Sequence, residues 1–294
     1  MKSPLLFEIW TLLQLYAGCI RLQFMPSEPI TEQMYRWYQA RHQLRGFKLT
    51  LSHPQTKDAL TIAYEPTLQS SGGENRRPDF FISFRSHSDG TNHRHTLDAK
   101  YKPYGQPEFH QRLASDLERS CKRYFDDFKG TAHEITSATL VHSYSCRDVH
   151  HWNIKNRDHI PHRYAQFNIA PGQTTHLATY IKRLIHYYSG EYQYCPSCGT
   201  VTEGIDEGYK VTYVCKCQEV WVNNTCKNEF KRDHPIHLKA IRLLKYAHGN
   251  YNQQVANNWD VHCPVCDRSF HGTLYRANLL GEEVSTHSSQ HHSF

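Results

Sequence analysis

The chain has 294 residues, enough for about two domains at roughly 150 residues each, and is 38% hydrophobic and 21% charged. That balance excludes a collagenous chain, a membrane bundle and wholesale disorder. Thirty-four Lys and Arg against 28 Asp and Glu leave a formal charge of +6, and 22 histidines add to it in mild acid, so the surface favours polyanions such as nucleic acid.

Residues 4–24 place Leu6, Ile9, Leu13, Tyr16, Ile20 and Phe24 at helical spacing and predict an amphipathic helix carrying one acid, Glu8. Lys2, the apolar run and Ala17-Gly18-Cys19 have the outline of a secretory leader. Glu8 and Gln14 interrupt it, and no uncharged stretch reaches membrane-crossing length, so a cytoplasmic chain with no membrane partner is expected. A polar helical stretch with Trp37 and Tyr38 comes next. Residues 47–51 and 60–64 then alternate as strands around Ser52-His53-Pro54-Gln55. Beyond a loop at Ser70-Ser71-Gly72-Gly73, residues 80–85 and 95–101 form two strands joined by Ser88-Asp89-Gly90-Thr91, where Asp-Gly is a strong hairpin signal.

Residues 110–128 predict a helix with Leu113, Leu117, Cys121, Tyr124 and Phe128 on one side, and 138–143 and 164–169 predict strands. Pro171-Gly172 introduces a helix over 174–188. This order gives an α/β domain over 1–189, a mixed sheet flanked by helices. Residues 190–280 form a small metal-stapled module of short strands with one basic helix at 236–247, and 281–294 form a polar, disordered tail. No G-x-x-x-x-G-K-[ST] is present, so no P-loop is expected.

The stretch richest in chemistry is Arg77-Pro78-Asp79-Phe80 and, past the turn, Thr96-Leu97-Asp98-Ala99-Lys100-Tyr101. With Asp89-Gly90 at the tip of a two-residue hairpin, Asp79 lies opposite Lys100 and Phe81 opposite Asp98. Asp79, Asp98 and Lys100 then share one exposed face, and Phe80, Ile82, Phe84, Leu97, Ala99 and Tyr101 form an apolar layer on the other. Carboxylates on diagonal neighbours sit about 7–8 Å apart at the backbone and can reach one hard cation such as Mg²⁺ or Mn²⁺. A lysine beside them can orient a water and offset charge on phosphorus. The bland alternative is a solvated strand face with an Asp79–Lys100 ion pair of little energetic value.

Pro78-Asp79 followed by Asp98-Ala99-Lys100 resembles the P-D…(D/E)-x-K signature of the restriction-endonuclease-like nuclease superfamily. Within it, the chain is similar to the branch related to McrC, the nuclease subunit of a modified-cytosine restriction system. That branch has an early helical Glu followed by Trp, matched by Phe7-Glu8-Ile9-Trp10, and an Asp-Ala-Lys-Tyr strand, matched by residues 98–101. Asp116-Leu117, Lys122-Arg123-Tyr124 and the strand, Pro-Gly and helix over 167–188 extend the likeness to about residues 5–188. The resemblance implies a Mg²⁺-dependent endonuclease acting on DNA in restriction, defence or a mobile element. Glu8, Asp79, Asp98 and Lys100 are its implied catalytic groups, and Asp79, Asp98 and Ala99 hold the metal. A separate nucleotide-driven motor or defence subunit is the implied partner, although the chain begins almost at the resembling core, without a large region preceding it. Glu8 otherwise reads as an ordinary polar residue of an amphipathic helix, and Lys122 and Tyr124 as a solvated edge and a core aromatic.

Cys195-Pro196-Ser197-Cys198-Gly199 is a zinc-knuckle sequence, and Cys215-Lys216-Cys217 supplies a second pair, with Cys226 able to replace one member. Cys263-Pro264-Val265-Cys266 is a further half-site that Cys226 and His271, or His234, His237 or His262, would complete. One or two structural zinc ions are expected, against the alternative of buried free thiols. The module would present Lys210, Lys216, Lys227, Lys231 and Arg232, with Tyr209, Tyr213 and Trp221, to nucleic acid. Protein contact is its other use. Histidines 150, 151, 159 and 162 invite an HNH-nuclease comparison but lack its ββα frame. From another class, a non-catalytic nucleic-acid-binding zinc protein, or an adaptor subunit of a nuclease complex, fits the same residues.

Overall fold

The computed structural model describes residues 3–102, 104, 112–113, 115–143, 150–151, 163–172, 175–189, 192–206, 208, 210–224, 243–246 and 259–260. Helix α1 (Ser3–Arg21) turns Phe7, Leu12, Leu15 and Cys19 into the core, and Leu22 follows them just past its end. Leu6 and Leu13, expected on the buried face, are exposed. The helix is apolar around much of its circumference, so periodicity alone does not choose the stripe. Packing against helix α4 (Thr175–Ser189) chooses it: a Cβ on Gly18 would lie 3.0 Å from Ile181 Cδ1. Only the face with Gly18 approaches so closely, and Ala17-Gly18-Cys19 is therefore an internal helix contact.

After β1 (Met25–Pro26) and helix α2 (Ile30–Arg41), strands β2 (Lys48–Ser52) and β3 (Ala59–Tyr64) alternate inward and outward as their sequences require. A small hairpin, β4 (Leu68–Gln69) and β5 (Asn75–Arg76), carries the Ser70–Gly73 loop at its tip. Strands β6 (Phe80–Arg85), β7 (Asn92–Lys100), β8 (Ser137–His142), β9 (His150–His151) and β10 (Tyr164–Asn168) follow. A seven-stranded mixed sheet runs β1-β2-β3-β6-β7-β8-β10, antiparallel as far as β7 and parallel from β7 through β8 to β10. Every residue of β8 is buried, as a parallel strand covered on both faces demands. Helices α1 and α4 cover the face with Phe80, Ile82, Phe84 and Leu97. The other face, with Phe81, Ala138 and Leu140, lies under Cys121, Phe125 and Phe128.

The β6–β7 register differs by two residues from the expected hairpin. Phe80 pairs with Leu97 and Phe81 with Thr96, and the connection spans residues 86–91, closed by Ser86 N donating to Thr91 O at 3.0 Å. Asp89 accepts from Thr91 N at 2.9 Å and Gly90 takes φ +71°, so Asp-Gly sits on one shoulder of a wider loop. A shift of two preserves every side chain's face. Continuing the register places Asp79 across from Asp98, directly opposed where diagonal neighbours were expected. The face is also not exposed, since Asp98 is only 4% accessible beneath the helical layer.

That layer departs from the continuous helix expected over 110–128. Residues Glu118–Lys122 form a π-helical turn, with Arg123 N–H bonding Glu118 O, before α3 (Arg123–Phe128) resumes. The turn buries Ser120 and Cys121 against the sheet.

Strands β11 (Gly204–Asp206), β12 (Lys210–Val214), β13 (Val220–Asn224) and β14 (Leu243–Tyr246) form a separate antiparallel sheet. Strand β14 corrects the helix expected at 236–247, whose other residues lie outside the described ones. Its Leu244 and Tyr246, two apart, join Trp221 in a small core, a strand period that the basic composition concealed. Strand β15 (Trp259–Asp260) pairs in parallel with β9. The small sheet docks on α4: buried Lys182 Nζ lies 2.6 Å from Glu219 Oε1, and Tyr246 OH donates to Lys182 O at 3.1 Å. Burial pushes His186 down to about 3, so its ring is neutral where it meets Tyr194 O at 2.6 Å. Among the described residues no helix is long and apolar enough to cross a membrane.

Candidate functional site

The start of β6 and the end of β7 meet at one place. Asp79 stands immediately before β6, its carbonyl accepting from Glu65 N at 2.8 Å, while Asp98 and Lys100 close β7. The alternation that sends Leu97 and Ala99 into the α1/α4 core sends Asp98 and Lys100 to the opposite face. Asp79 Oδ2 accepts from Ala99 N at 2.7 Å and lies 3.6 Å from Lys100 Nζ. Asp98 Oδ2 accepts from Ser120 Oγ at 2.6 Å and pairs with Lys100 Nζ. The π-helical turn thus delivers a hydroxyl to the second aspartate, and Lys100 bridges both.

The second oxygen, Oδ1, of Asp79 and of Asp98 makes no hydrogen bond among the described residues. Burial first, then the charges of Asp98 and Glu8, push the Asp79 carboxyl well above its ordinary value, against the pull of Lys100 and the Ala99 amide. Burial works against the Lys100 ammonium, but Asp98 and Asp79 outweigh it and hold its pKa above the usual lysine value. Within this group three carboxyls, those of Asp79, Asp98 and Glu8, meet the single ammonium of Lys100, a condition under which a divalent cation is welcome.

Glu8 reaches this group around the end of the sheet from α1. Tyr64 OH donates to its Oε2 at 2.8 Å, and burial raises its pKa, with Lys100 and Asp98 among the charges it senses. The acids do not close into a cluster like that of the thiols below: Lys100 occupies the space between the aspartates, and Tyr64 holds Glu8. The Ala99 amide orients Asp79. Lys122 is on the exposed edge, paired with Glu118, and Tyr124 stacks on Phe128 with its OH 3.4 Å from Arg77 O.

A cleft of about 370 Å³ opens over Asp79, Asp98 and Lys100, walled by Arg76, Arg77, Arg119, Arg123, Ser120 and Tyr124. Asp127 pins Arg76 at 2.5 Å and Arg123 at 3.3 Å. Arg77 and Arg119 have no ion pair among the described residues, which leaves two guanidinium groups available to an anion. Sequence reasoning missed these arginines, Ser120 and Tyr64. Arg76-Arg77 directly ahead of Pro78-Asp79 was a readable signal; Ser120 was not, because only the π turn brings it inward.

The second cluster is Cys195, Cys198, Cys215 and Cys217, whose sulfurs all lie within 4.8 Å of one another. Four thiols at that spacing fit a structural metal ion such as zinc. Gly199 N donates to Cys195 O at 2.8 Å, and Gly199 takes φ +69°, closing the knuckle. A Cβ there would lie 2.8 Å from His53 Cε1, so the knuckle packs on the loop after β2. Burial opposes ionisation of Cys198, yet its hydrogen bonds, with Thr200 foremost, bring it to about 7. The quartet is complete without Cys226, which lies outside the described residues with Cys263, Cys266, His271, His234, His237 and His262, so the second metal site falls there too. Among the expected nucleic-acid contacts, Lys216 is exposed, Lys210 is in β12, and Tyr209, Lys227, Lys231 and Arg232 lie outside the described residues. Trp221 is fully buried, bonded through Nε1 to Tyr192 O at 2.8 Å and stacked on Tyr213. It is a core residue, unavailable to a base.

No family model, no curated protein and no solved structure matches the chain.

Proposed function

We propose that the chain is a metal-dependent endonuclease hydrolysing DNA phosphodiester bonds in a restriction, defence or mobile-element setting. In this reading the large sheet is a restriction-endonuclease-like body of the McrC-related branch, and the cysteine quartet staples a zinc-ribbon module. The observation that carries it is the convergence of Asp79, Asp98 and Lys100 at the floor of an arginine-walled cleft. The free Oδ1 atoms are a hard-oxygen donor set that fits Mg²⁺ or Mn²⁺. Such an ion supplies an acidified water and charge neutralisation at phosphorus. Arg77 and Arg119 bind the phosphates on either side, Lys100 orients the attacking water and offsets charge on the phosphoryl oxygens, and Ser120 fixes the rotamer of Asp98.

Incubating the full chain with supercoiled plasmid with and without added Mg²⁺ tests this directly: nicking or linearisation only with Mg²⁺ is expected, and none under any divalent ion overturns it. Two smaller effects follow from the geometry. Ser120→Ala frees the Asp98 carboxylate to rotate and lowers the cleavage rate about 10-fold, with the melting temperature within a few degrees of wild type. Glu8→Gln keeps an acceptor for Tyr64 but removes the charge beside Lys100, lowering the rate by about 10-fold. Loss of folding with an unchanged rate per folded molecule would make Glu8 structural. One observation favours a second reading, a nucleic-acid-binding protein without catalysis: Lys100 already pairs with both aspartates. It predicts plasmid binding with no cleavage.

A further inference from the structure

We propose that the apolar pocket across the end of β7 from the arginine-walled cleft seats one nucleobase of the strand being cut, beside the scissile phosphate. This rests on the endonuclease reading of the cleft and adds which part of the substrate the opposite side takes. The pocket measures about 510 Å³ and is lined by Leu6, Phe7 and Trp10 of α1, Tyr101 beyond β7, and Ile169 and Pro171 beyond β10. Its aromatic rings are tilted to one another: buried Phe7 lies 6.0 Å from Trp10 at 33° and 5.9 Å from Tyr101 at 48°, so the ring left open to a ligand is that of Tyr101, with Trp10 partly exposed in the same pocket. Tyr101 is 52% exposed and Leu6 49%, large apolar surfaces left facing solvent.

The pocket is continuous with the charged group through the chain itself. Phe7 precedes Glu8, and Tyr101 follows Lys100, so the elements that place the charges also place the rings. Lys100 faces the cleft under the π-helical turn, and the next residue faces α1, which puts one polar, cationic site and one apolar, aromatic site on opposite sides of a single strand end. A nucleic-acid strand has the same division, with charged phosphates along one edge and flat bases along the other. With its phosphate over Lys100, Arg77 and Arg119, a strand crossing the end of β7 carries its adjoining base toward the exposed ring of Tyr101 and the partly exposed Trp10. Stacking on such rings accepts any base and needs a free π-face. A base stacked within a duplex offers none, so the substrate at this position is single-stranded or extruded.

The full chain is titrated, in buffer without added divalent cation so that nothing is cut while the cysteine quartet keeps its metal, into single-stranded oligodeoxynucleotides carrying 2-aminopurine at successive positions. Binding quenches the fluorescence at one position. Tyr101→Ala relieves that quenching and weakens binding about 5–150-fold, the range for losing one base stack, whereas Tyr101→Phe retains both. An abasic nucleotide at the same position costs the wild type a similar factor and costs Tyr101→Ala nothing more. Equal wild-type affinity for intact and abasic strands at every position overturns the proposal, and this comparison needs no variant to fold. A wild-type dimer that Tyr101→Ala dissociates, seen by sedimentation, assigns the pocket to a second copy and also overturns it. Plasmid cleavage is scored separately. Quenching without cleavage keeps the base pocket and removes the endonuclease; cleavage without position-specific quenching does the reverse.

Discussion

Asp98→Asn lowers Mg²⁺-dependent plasmid cleavage by about 10²–10³-fold, and Asp79→Asn does the same, because each removes half of the hard-oxygen pair while keeping its shape. Asparagine retains an oxygen for Ser120 or for the Ala99 amide, so the local hydrogen bonds survive. The two variants should differ in stability. Asp79 is the acid that burial, Asp98 and Glu8 push well above the ordinary 3.8. A carboxyl whose folded pKa is raised binds its proton more tightly in the native than in the unfolded chain, so stability falls as pH rises from about 4 through the folded pKa and stays lower above it. Asp79→Asn removes that penalty. Its melting temperature at pH 8 is expected to exceed that of the wild type, and its stability between pH 4 and 8 to vary less. Mg²⁺ relieves the same repulsion and should raise the wild-type melting temperature without raising that of Asp79→Asn. Undiminished cleavage by Asp98→Asn would sink the catalytic assignment, and a lower melting temperature in Asp79→Asn would return Asp79 to a structural ion pair.

Strand alternation alone assigns Asp79, Asp98 and Lys100 to one face, and this holds even though the register is wrong by two, since an even slip changes partners but not faces. The slip was invisible because Asp89-Gly90 satisfies a two-residue turn and the shoulder of a longer one equally well. The stripe that α1 buries was hidden for another reason. Leu5, Leu6 and Leu13 are as apolar as Leu12 and Leu15, and only the approach of Ile181 to Gly18, far away in sequence, decides between them. Ser120 sits in a helical pattern, and nothing local announces that the helix takes a π turn there. The cysteine knuckle was legible because C-P-x-C followed by Gly specifies its own geometry. Its docking on His53 was not, because the contact joins Gly199 to a residue far away in the sequence.

Removing metal from the cysteine quartet is expected to unfold the small sheet and leave the large one folded. Among the described residues the core of the small sheet is a cluster of Cys195, Cys215, Trp221, Leu244 and Tyr246, a small apolar set to hold four strands without a staple. Thiolate–zinc binding contributes on the order of 10–16 kcal/mol to folding such a module, more than any other single interaction in it. The loss does not stop at the module boundary. Glu219 accepts from Lys182 through one carboxylate oxygen and from Ser197 through the other, so one carboxylate joins α4 to the knuckle, and Trp221 and Tyr246 pack against His186. Unfolding the small sheet therefore strips partners from the C-terminal half of α4, while Leu177, Tyr180, Ile181 and Leu184 still hold that helix on the large sheet. A strong chelator should shift Trp221 emission to the red and open the amides of β11–β14 and the end of α4 to hydrogen exchange, with β3, β6 and β7 still protected. Cys198→Ser should do the same without chelator and lower bound zinc by one per chain, while Mn²⁺ still binds at Asp79 and Asp98. Elemental analysis of the purified chain should find at least one zinc. A metal-free chain whose β11–β14 amides are nevertheless protected would show that the thiols pack as ordinary buried cysteines.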